Sequence, residues 1–190
     1  MSSPGRILVV AATARELAAP DGWTSCLCGV GPVDAAAAAA AAIAAHHPAA
    51  VLHVGIAGAR RAAGITPPTL VIGEAARYCD LEAPEHFAPR VLPADPLLLD
   101  AARRALPDAV LRVIGTSARV GGSSGCDVEA MEGFAVLRAA ALAGVPAIEV
   151  RAISNAIEER DRALWRFDEA FAAVIAATPR LVAEFARCVR

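Results

Sequence analysis

The chain has 190 residues, the length of about one globular domain, which is enough to bury a sizeable hydrophobic core. Its 18 basic and 20 acidic residues give a formal net charge of −2 at pH 7, so no strongly basic surface is expected for nucleic acid or an anionic membrane. Although 56% of the residues are hydrophobic, no run of about 18 strongly apolar residues lacks charges, proline or glycine. We therefore expect one domain, residues 1–190, that binds no nucleic acid and does not enter a membrane.

The cysteines favour a reducing compartment. There are five of them, an odd number, and no two are separated by just two intervening residues, as the C-x-x-C pair of a zinc site is. The first residues, 1–5, are small and polar and lead straight into an apolar run, unlike a signal or transit peptide. We expect a cytoplasmic protein that requires neither a metal nor a cofactor.

Strand and helix patterns alternate along the chain. In chain order the sequence predicts strands at 6–12 and 23–27, a helix at 33–46, strands at 50–54 and 69–78, a helix at 95–106, a strand at 110–116, a helix at 127–143, a strand at 146–154 and a helix at 168–189. The strands at 6–12, 50–54 and 146–154 are short apolar runs, typical of strands buried on both faces, whereas 69–78 is β-rich and partly alternating. This order predicts an α/β fold with three layers, αβα, and a twisted, mostly parallel mixed central sheet whose ligand lies at the carboxyl ends of the strands.

Local signals mark turns and helix ends. Asp95 followed by Pro96 is the pattern of an N-cap and a first helical residue. The segment 55–58, GIAG, is predicted to end the third strand in a Gly-rich turn, and 117–125 is predicted to be a loop.

Two short stretches in the second half carry the most informative side chains. Residues 128–133 read VEAMEG at a predicted helix start, and 150–155 read VRAISN at the end of a predicted strand. A carboxylate of the first stretch and the side chains of Arg151 and Asn155 in the second stretch would converge on one pocket. A buried Glu needs a partner, and Arg151 is the obvious candidate. The alternative is an ion pair that only ties the two elements together.

The combination of MEG, GVP at 144–146 and VRAISN resembles the nucleoside phosphorylase and nucleosidase superfamily. The segments CGVG at 28–31, HVGIAGA at 53–59 and EAARYCD at 74–80 are similar to its two Gly-rich turns and a following strand, so the likeness covers nearly the whole chain. The resemblance implies a nucleoside phosphorylase-like fold, a small-molecule nucleoside substrate and a homo-oligomer with sites near subunit contacts.

Within the superfamily, the sequence is most similar to the futalosine hydrolases, which release hypoxanthine from futalosine in menaquinone biosynthesis. Ala130 stands where adenine-directed nucleosidases usually carry Glu, and Asn155 stands where they carry Asp. The segment 160–162, RDR, followed by Trp165, is a third similarity. These charges could close over the anionic carboxybenzoyl tail of futalosine, and a solvated charge cluster is the alternative.

The identity of Asn155 has a chemical consequence. A leaving purine accumulates negative charge, so an enzyme must protonate N7 or donate hydrogen bonds to the base. A carboxylate would face O6 of a 6-oxopurine with like charge, whereas an amide NH₂ can donate to O6 and N7. Asn155 therefore predicts hypoxanthine rather than adenine as the base. The alternative is a turn-forming Asn at a strand end.

The resemblance also implies roles for two carboxylates. Glu132 matches the Glu that holds the ribose 2′- and 3′-hydroxyls and stabilises positive charge on the sugar. Met131 matches the apolar contact under the sugar, and Arg151 matches the strand-end Arg that supports Glu132 and the attacking water. Glu16 matches the carboxylate that orients or deprotonates water. From composition alone, Glu16 is an exposed residue and Met131 is core filling.

The second Gly-rich segment bears on the nucleophile. Phosphorylases tend to carry an Arg just before it, where this chain has His53-Val54, and Ile56 replaces a hydroxyl residue. Both features favour water over phosphate. Ala57 and Gly58 of this segment are expected to line the substrate site. Arg60 and Arg61, just after this segment, are cations of the kind that bind phosphate, so phosphorolysis is the alternative.

The loop at 117–128 is shorter than the superfamily pattern. That loop normally supplies a side chain that stacks on the base, and by position this role falls on Arg119 and Val120. Arg119 is otherwise a solvated loop charge.

Futalosine hydrolysis is thus the predicted function. A methylthioadenosine or S-adenosylhomocysteine nucleosidase, a purine nucleoside phosphorylase and a catalytically silent nucleoside-binding protein are the alternatives.

Overall fold

The computed structural model describes residues 7–121 and 125–189, and strands and helices alternate through both ranges. The strands are β1 (Ile7–Ala11), β2 (Thr24–Leu27), β3 (Ala50–Ala59), β4 (Leu70–Tyr78), β5 (Val91–Pro93), β6 (Val110–Thr116), β7 (Val128–Ala130) and β8 (Ala147–Ala156). The α-helices are α1 (Pro32–His46), α2 (Pro96–Ala105), α3 (Gly133–Leu142) and α4 (Phe167–Cys188). Short 3-10 helices span Ala14–Glu16, Arg61–Ala63 and Arg162–Leu164.

The strands form one mixed sheet that partly closes on itself. Its order is β2-β1-β3-β7-β6-β4-β5, and β8 pairs with both β3 and β4. The strands β3, β8, β4, β6 and β7 therefore form a closed ring. Pairing is parallel except between β3 and β7, β4 and β5, and β4 and β8. An apolar cluster draws residues from every strand of the ring, including Ala57, Val71, Ile114, Val128 and Ile153.

The sheet is covered by helices on both faces, and the alternation along β1 shows why. Leu8 and Val10 pack in the cluster that contains α1 and α3, while Ile7 and Val9 pack in the cluster that contains α2 and α4. Successive side chains of a strand point to opposite faces, so a continuous apolar run fills both layers. The predicted three-layer αβα fold with a mostly parallel mixed sheet is confirmed.

Two elements differ from the prediction near the site. β3 does not turn at 55–58 but continues to Ala59, because Gly55 to Ala59 pair with Arg151 to Ala156 of β8. The glycines there are needed for close approach: a Cβ at Gly55 would collide with the guanidinium of Arg151 and lie 2.8 Å from Oε1 of Glu16.

The predicted helix at 127–143 is the second difference. Residues 128–130 instead form β7, which inserts between β3 and β6 and closes the ring, and α3 begins only at Gly133.

Helix α2 begins as predicted, since the Asp95 side chain accepts hydrogen bonds from the N–H groups of Leu97 and Leu98.

Candidate active site

A cavity of about 530 Å³ opens at the carboxyl ends of β1, β3 and β8. This volume lies in the range of small-molecule sites. Residues around the cavity include Thr13, Glu16, Ile56, Ala57, Gly58, Val120, Glu129, Met131, Glu132, Arg151, Ser154, Asn155 and the aromatic residues Trp165, Phe167 and Phe171. Every predicted site residue except Arg119 therefore meets at one place, as the position at the strand ends requires.

Arg119 is the exception: it is not among the described residues that line the cavity, and its contact with the base stays a prediction. It is exposed, and its backbone N–H donates to Oγ of Ser117. Ser117 and the N–H of Ala118 are in turn bound by the carboxylate of Asp80, at 3.1 and 2.5 Å. Asp80 thus anchors the start of the loop, and Val120, one residue further on, lines the cavity instead.

Arg151 lies at the centre of the buried polar network. Its side chain is only 1% exposed. Nε donates to Oε1 of Glu149 at 2.7 Å, and Nη2 lies 3.2 Å from Oε2 of Glu132. Burial alone would lower the pKa of the guanidinium, but the neighbouring carboxylates, first Glu149 and then Glu132, raise it. Arg151 is therefore a permanent positive charge beneath the cavity.

His53 is fully buried beside Arg151 and is held in the neutral state. Its Nδ1 lies 3.0 Å from the carbonyl oxygen of Val10, and its Nε2 lies 2.5 Å from Nη2 of Arg151. The carbonyl needs a donor and the guanidinium needs an acceptor, so the partners assign the proton to Nδ1. Burial, followed by the charge of Arg151, lowers the pKa of His53 well below its usual 6.5.

Glu149 is a component of the network that the sequence reasoning missed. It precedes Arg151 by two positions in β8, so both side chains lie on the same face of the strand. A carboxylate inside an otherwise apolar strand, at this spacing from an Arg, is a signal that the sequence already contains. Burial raises the pKa of Glu149, and Arg151 opposes that rise.

Glu132 precedes helix α3 and is buried against the first Gly-rich turn. Its Oε1 accepts from the N–H of Gly31 at 3.1 Å, and its Oε2 accepts from Arg151. The two partners come from distant parts of the chain and fix the carboxylate at the cavity wall. The predicted Glu132–Arg151 ion pair is present, with side chains 5% and 1% exposed.

Glu16 is buried, whereas composition alone suggested an exposed residue. Its Oε2 accepts from the N–H and the hydroxyl of Thr13, at 2.8 and 2.9 Å, and its Oε1 accepts from the N–H of Ile56 at 3.1 Å. The first contact is half of a capping box, which the sequence T-x-x-E at 13–16 could have indicated. The second depends on β3 and is not readable locally.

Asn155 reaches the cavity through an irregularity in β8. Ala57 pairs with Ile153 but Gly58 pairs with Asn155, so Ser154 is an extra residue in a β-bulge. A bulge re-aims side chains, and both Ser154 and Asn155 line the cavity. Asn155 is 8% exposed.

Hydrogen bonds orient the Asn155 amide. Nδ2 donates to the carbonyl oxygen of Ala156 at 2.9 Å, and Oδ1 accepts from the hydroxyl of Ser154 at 2.8 Å. Because a carbonyl can only accept, the NH₂ group must lie on the Ala156 side. Its second N–H has no partner among residues 7–121 and 125–189 and is available to a ligand.

The outer end of the cavity is aromatic and cationic. The ring centroids of Trp165 and Phe167 are 5.4 Å apart, and those of Phe167 and Phe171 are 6.1 Å apart. The guanidinium of Arg162 lies 5.2 Å from the Trp165 centroid, and that of Arg15 lies 4.4 Å from the Phe171 centroid. This end combines a flat apolar wall with positive charge.

Comparison with known proteins gives the family. The sequence profile described as "Phosphorylase superfamily" matches residues 22–187, so the chain belongs to that superfamily, as its motifs predicted. Within it, the chain is a homologue of futalosine hydrolase. It is 39% identical to the futalosine hydrolase of Streptomyces coelicolor over 191 aligned positions, covering 85% of this chain and 79% of that enzyme.

Solved structures share the fold. The futalosine hydrolase of Helicobacter pylori matches with a TM-score of 0.83 and 15% identity, over 95% of this chain and 98% of that one. The 5′-methylthioadenosine/S-adenosylhomocysteine nucleosidase of Neisseria meningitidis, solved with methylthio-immucillin-A, matches with a TM-score of 0.77 and 23% identity, over 94% and 96% of the two chains. At these identities the likeness establishes the fold alone.

Within 7–121 and 125–189, no helix combines the length and apolar character needed to cross a bilayer. Over the same ranges, no three His, Cys, Asp or Glu side chains cluster as metal ligands would.

Proposed function

We propose that this protein hydrolyses the N-glycosidic bond of futalosine and releases hypoxanthine and dehypoxanthinyl futalosine. The observation that carries the proposal is the placement of the Asn155 amide, which lines the same cavity as Glu132 and has its NH₂ oriented by Ala156. The homology to futalosine hydrolase supports the same substrate.

Asn155 is the residue we assign to the leaving base. Its second N–H donates to the O6/N7 edge of hypoxanthine as negative charge develops on the ring, and the contact strengthens as the bond breaks. Gly58 makes room for this amide, since a Cβ there would lie 3.1 Å from Nδ2. A carboxylate at the same position would repel O6.

Glu132 is the residue we assign to the ribose. Each carboxylate oxygen has more than one acceptor site, so Glu132 can retain Gly31 and Arg151 and still accept from the 2′- and 3′-hydroxyls. Its negative charge stabilises the oxocarbenium-like sugar of the transition state. Met131, partly exposed beside it, packs under the sugar.

Glu16 is the residue we assign to water. Thr13 supplies both hydrogen bonds to Oε2, whereas Oε1 accepts only from Ile56 among the described residues. Oε1 is therefore the atom that orients the attacking water and takes its proton. Arg151 lies close by, because the same added Cβ at Gly55 would meet both side chains.

Water is favoured over phosphate by the contacts of His53, Arg60 and Arg61, the basic residues in and just after the second Gly-rich segment. His53 is buried, neutral and bound to Arg151, and so offers no positive charge to an anion. Arg60 donates to the carbonyl of Cys126, and Arg61 pairs with Glu159 at 2.9 Å. Neither of these arginines is among the described residues that line the cavity.

The test incubates the protein with futalosine, inosine and methylthioadenosine, each with and without phosphate, and follows the free base. We expect hypoxanthine from futalosine at a rate that is independent of phosphate. Preferential release of adenine from methylthioadenosine, or a requirement for phosphate, would contradict the proposal. Binding of futalosine without release of base would identify a silent binding protein.

We further propose a homo-oligomer located in the cytoplasm. Val30 lines the cavity but is 57% exposed in the single chain, and nearby Val33 is 79% exposed, which supports a subunit contact beside the site. The five free cysteines are in keeping with a reducing compartment. Light scattering of the purified protein tests the first point, since a monomeric mass would contradict it, and cell fractionation tests the second.

A further inference from the structure

We propose that the aromatic and cationic end of the cavity binds the carboxybenzoyl tail of futalosine. Arg162 pairs with the carboxylate of the tail, and Trp165 and Phe167 pack against its ring. This inference rests on the proposed function and adds the residues that select futalosine over a nucleoside that lacks the tail.

The aromatic wall is held in place before any ligand binds. Nε1 of Trp165 donates to the carbonyl oxygen of Glu159 at 3.1 Å, which fixes the indole. The backbone N–H of Arg166 donates to the carbonyl oxygen of Ser154 at 2.8 Å. This hydrogen bond connects the segment that carries the aromatic wall to the residue next to Asn155, so the positions of the two ends of the cavity are fixed relative to each other.

The charges at this end single out Arg162. Of the arginines that line the cavity, Arg151 is paired with Glu149 and Glu132, and Arg15 is paired with Asp168 at 2.8 Å. Arg162 forms no ion pair within 7–121 and 125–189. Its guanidinium lies over the Trp165 ring, and Asp161 accepts from the N–H of Ala163 to fix the turn that carries it.

These groups match the chemistry of an aryl carboxylate. A guanidinium binds a carboxylate through paired N–H donors, and an indole provides a flat surface for an aromatic ring. Arg15 next to Glu16 places this end beside the water-activating carboxylate. A 5′-extension of a bound nucleoside would therefore continue from the sugar site toward Arg162.

The test compares futalosine, its methyl ester at the tail carboxylate, and inosine in the wild-type protein and in Arg162→Gln. For Arg162→Gln we expect the KM for futalosine to rise by about ten- to a hundredfold, the size of a lost charge-assisted hydrogen bond, with little change in kcat. The wild type should prefer futalosine to the ester, and the variant should lose that preference.

Arg160→Gln is the matched control, since Arg160 is an exposed cation of the same segment outside the cavity lining. It should retain wild-type kinetics on all three substrates. A futalosine-to-ester preference that persists in Arg162→Gln would overturn the tail assignment while leaving the hydrolase proposal intact. If the wild type hydrolyses no futalosine, the proposed function itself fails.

Trp165 is tested separately by replacement with Leu and with Phe. Trp165→Leu should raise the KM for futalosine relative to that for inosine, and Trp165→Phe should restore much of the loss because it retains an aromatic face. Equal changes for both substrates in both variants would contradict a role of Trp165 in tail binding.

Discussion

Nη2 of Arg151 lies 2.5 Å from Nε2 of His53, so an arginine donates to a neutral histidine in the interior of the protein. The imidazole separates the guanidinium from the backbone of β1, where Nδ1 is bound to Val10. Protonation of His53 would place two positive charges in direct contact within a buried site. The fold therefore depends on His53 remaining uncharged.

This arrangement predicts acid-sensitive stability. The pKa of His53 is lowered in the folded state. When the pH falls below about 6.5, His53 therefore becomes protonated in the unfolded chain but stays neutral in the folded chain. The stabilisation is present above that pH and is lost as the pH falls toward the lowered folded pKa. Between pH 7 and pH 5 we therefore expect the free energy of unfolding to fall, with His53 as one of the groups responsible.

Urea unfolding at pH 7 and pH 5 measures this loss in the wild type and in His53→Gln. The variant is less stable at pH 7 but should show a smaller decrease between the two pH values. His46→Gln, at an exposed histidine, should retain the wild-type decrease. An unchanged pH dependence in His53→Gln would refute the role of His53.

Glu149 is expected to stabilise the fold by compensating the charge of Arg151. Removal of one partner from a buried ion pair costs about 3–5 kcal/mol, so Glu149→Leu should lower the free energy of unfolding by that amount. Glu149→Gln retains an acceptor for Nε of Arg151 and should lose less. Denaturant unfolding ranks the two variants, and a Leu variant as stable as the wild type would exclude this role.

Glu16 is expected to act on kcat rather than on substrate binding. Glu16→Gln keeps an amide oxygen for the N–H of Ile56 but cannot take a proton from water. We expect kcat for futalosine to fall by roughly 10²- to 10⁴-fold, with KM nearly unchanged. Glu74→Gln, at an exposed position of β4, is the control. A decrease of less than about threefold in Glu16→Gln would reassign the base.

Gly55 is expected to tolerate no side chain. It lies opposite Arg151 in the register of β3 and β8, and an added Cβ would collide with a guanidinium that three other residues hold. Gly55→Ala should therefore reduce both stability and kcat. Gly58→Ala, where the nearest atoms are 3.1 Å from the new Cβ, should have a milder effect. The reverse ranking would contradict the packing described.

The sequence predicts correctly those parts of the fold that depend on residues adjacent in the chain. The strand at Val110–Thr116 has the predicted bounds, and Asp95 caps α2, because burial on both faces and capping are encoded by adjacent residues. The strand at 128–130 and the continuation of β3 through its glycines depend on pairing with distant strands. A helix start and a turn were therefore predicted in their place.

The candidate site divides in the same way. The Glu132–Arg151 pair could be predicted because the residue types require each other. The β-bulge at Ser154, which turns Asn155 into the cavity, arises from register with β3 and leaves no local signal. Arg119 does not line the cavity in the structure, and the carboxylate that holds the start of its loop belongs to Asp80, which is distant in sequence and gives no local signal.

The most direct test of Asn155 compares futalosine with its 6-amino analogue, which differs only at the atom that Asn155 is proposed to contact. The ratio of kcat/KM for the two substrates should favour futalosine in the wild type. In Asn155→Asp it should shift toward the 6-amino compound by about ten- to a hundredfold, as a carboxylate faces O6. A ratio that is unchanged by Asn155→Asp, in a variant that remains folded and active, would contradict the assignment of the base site.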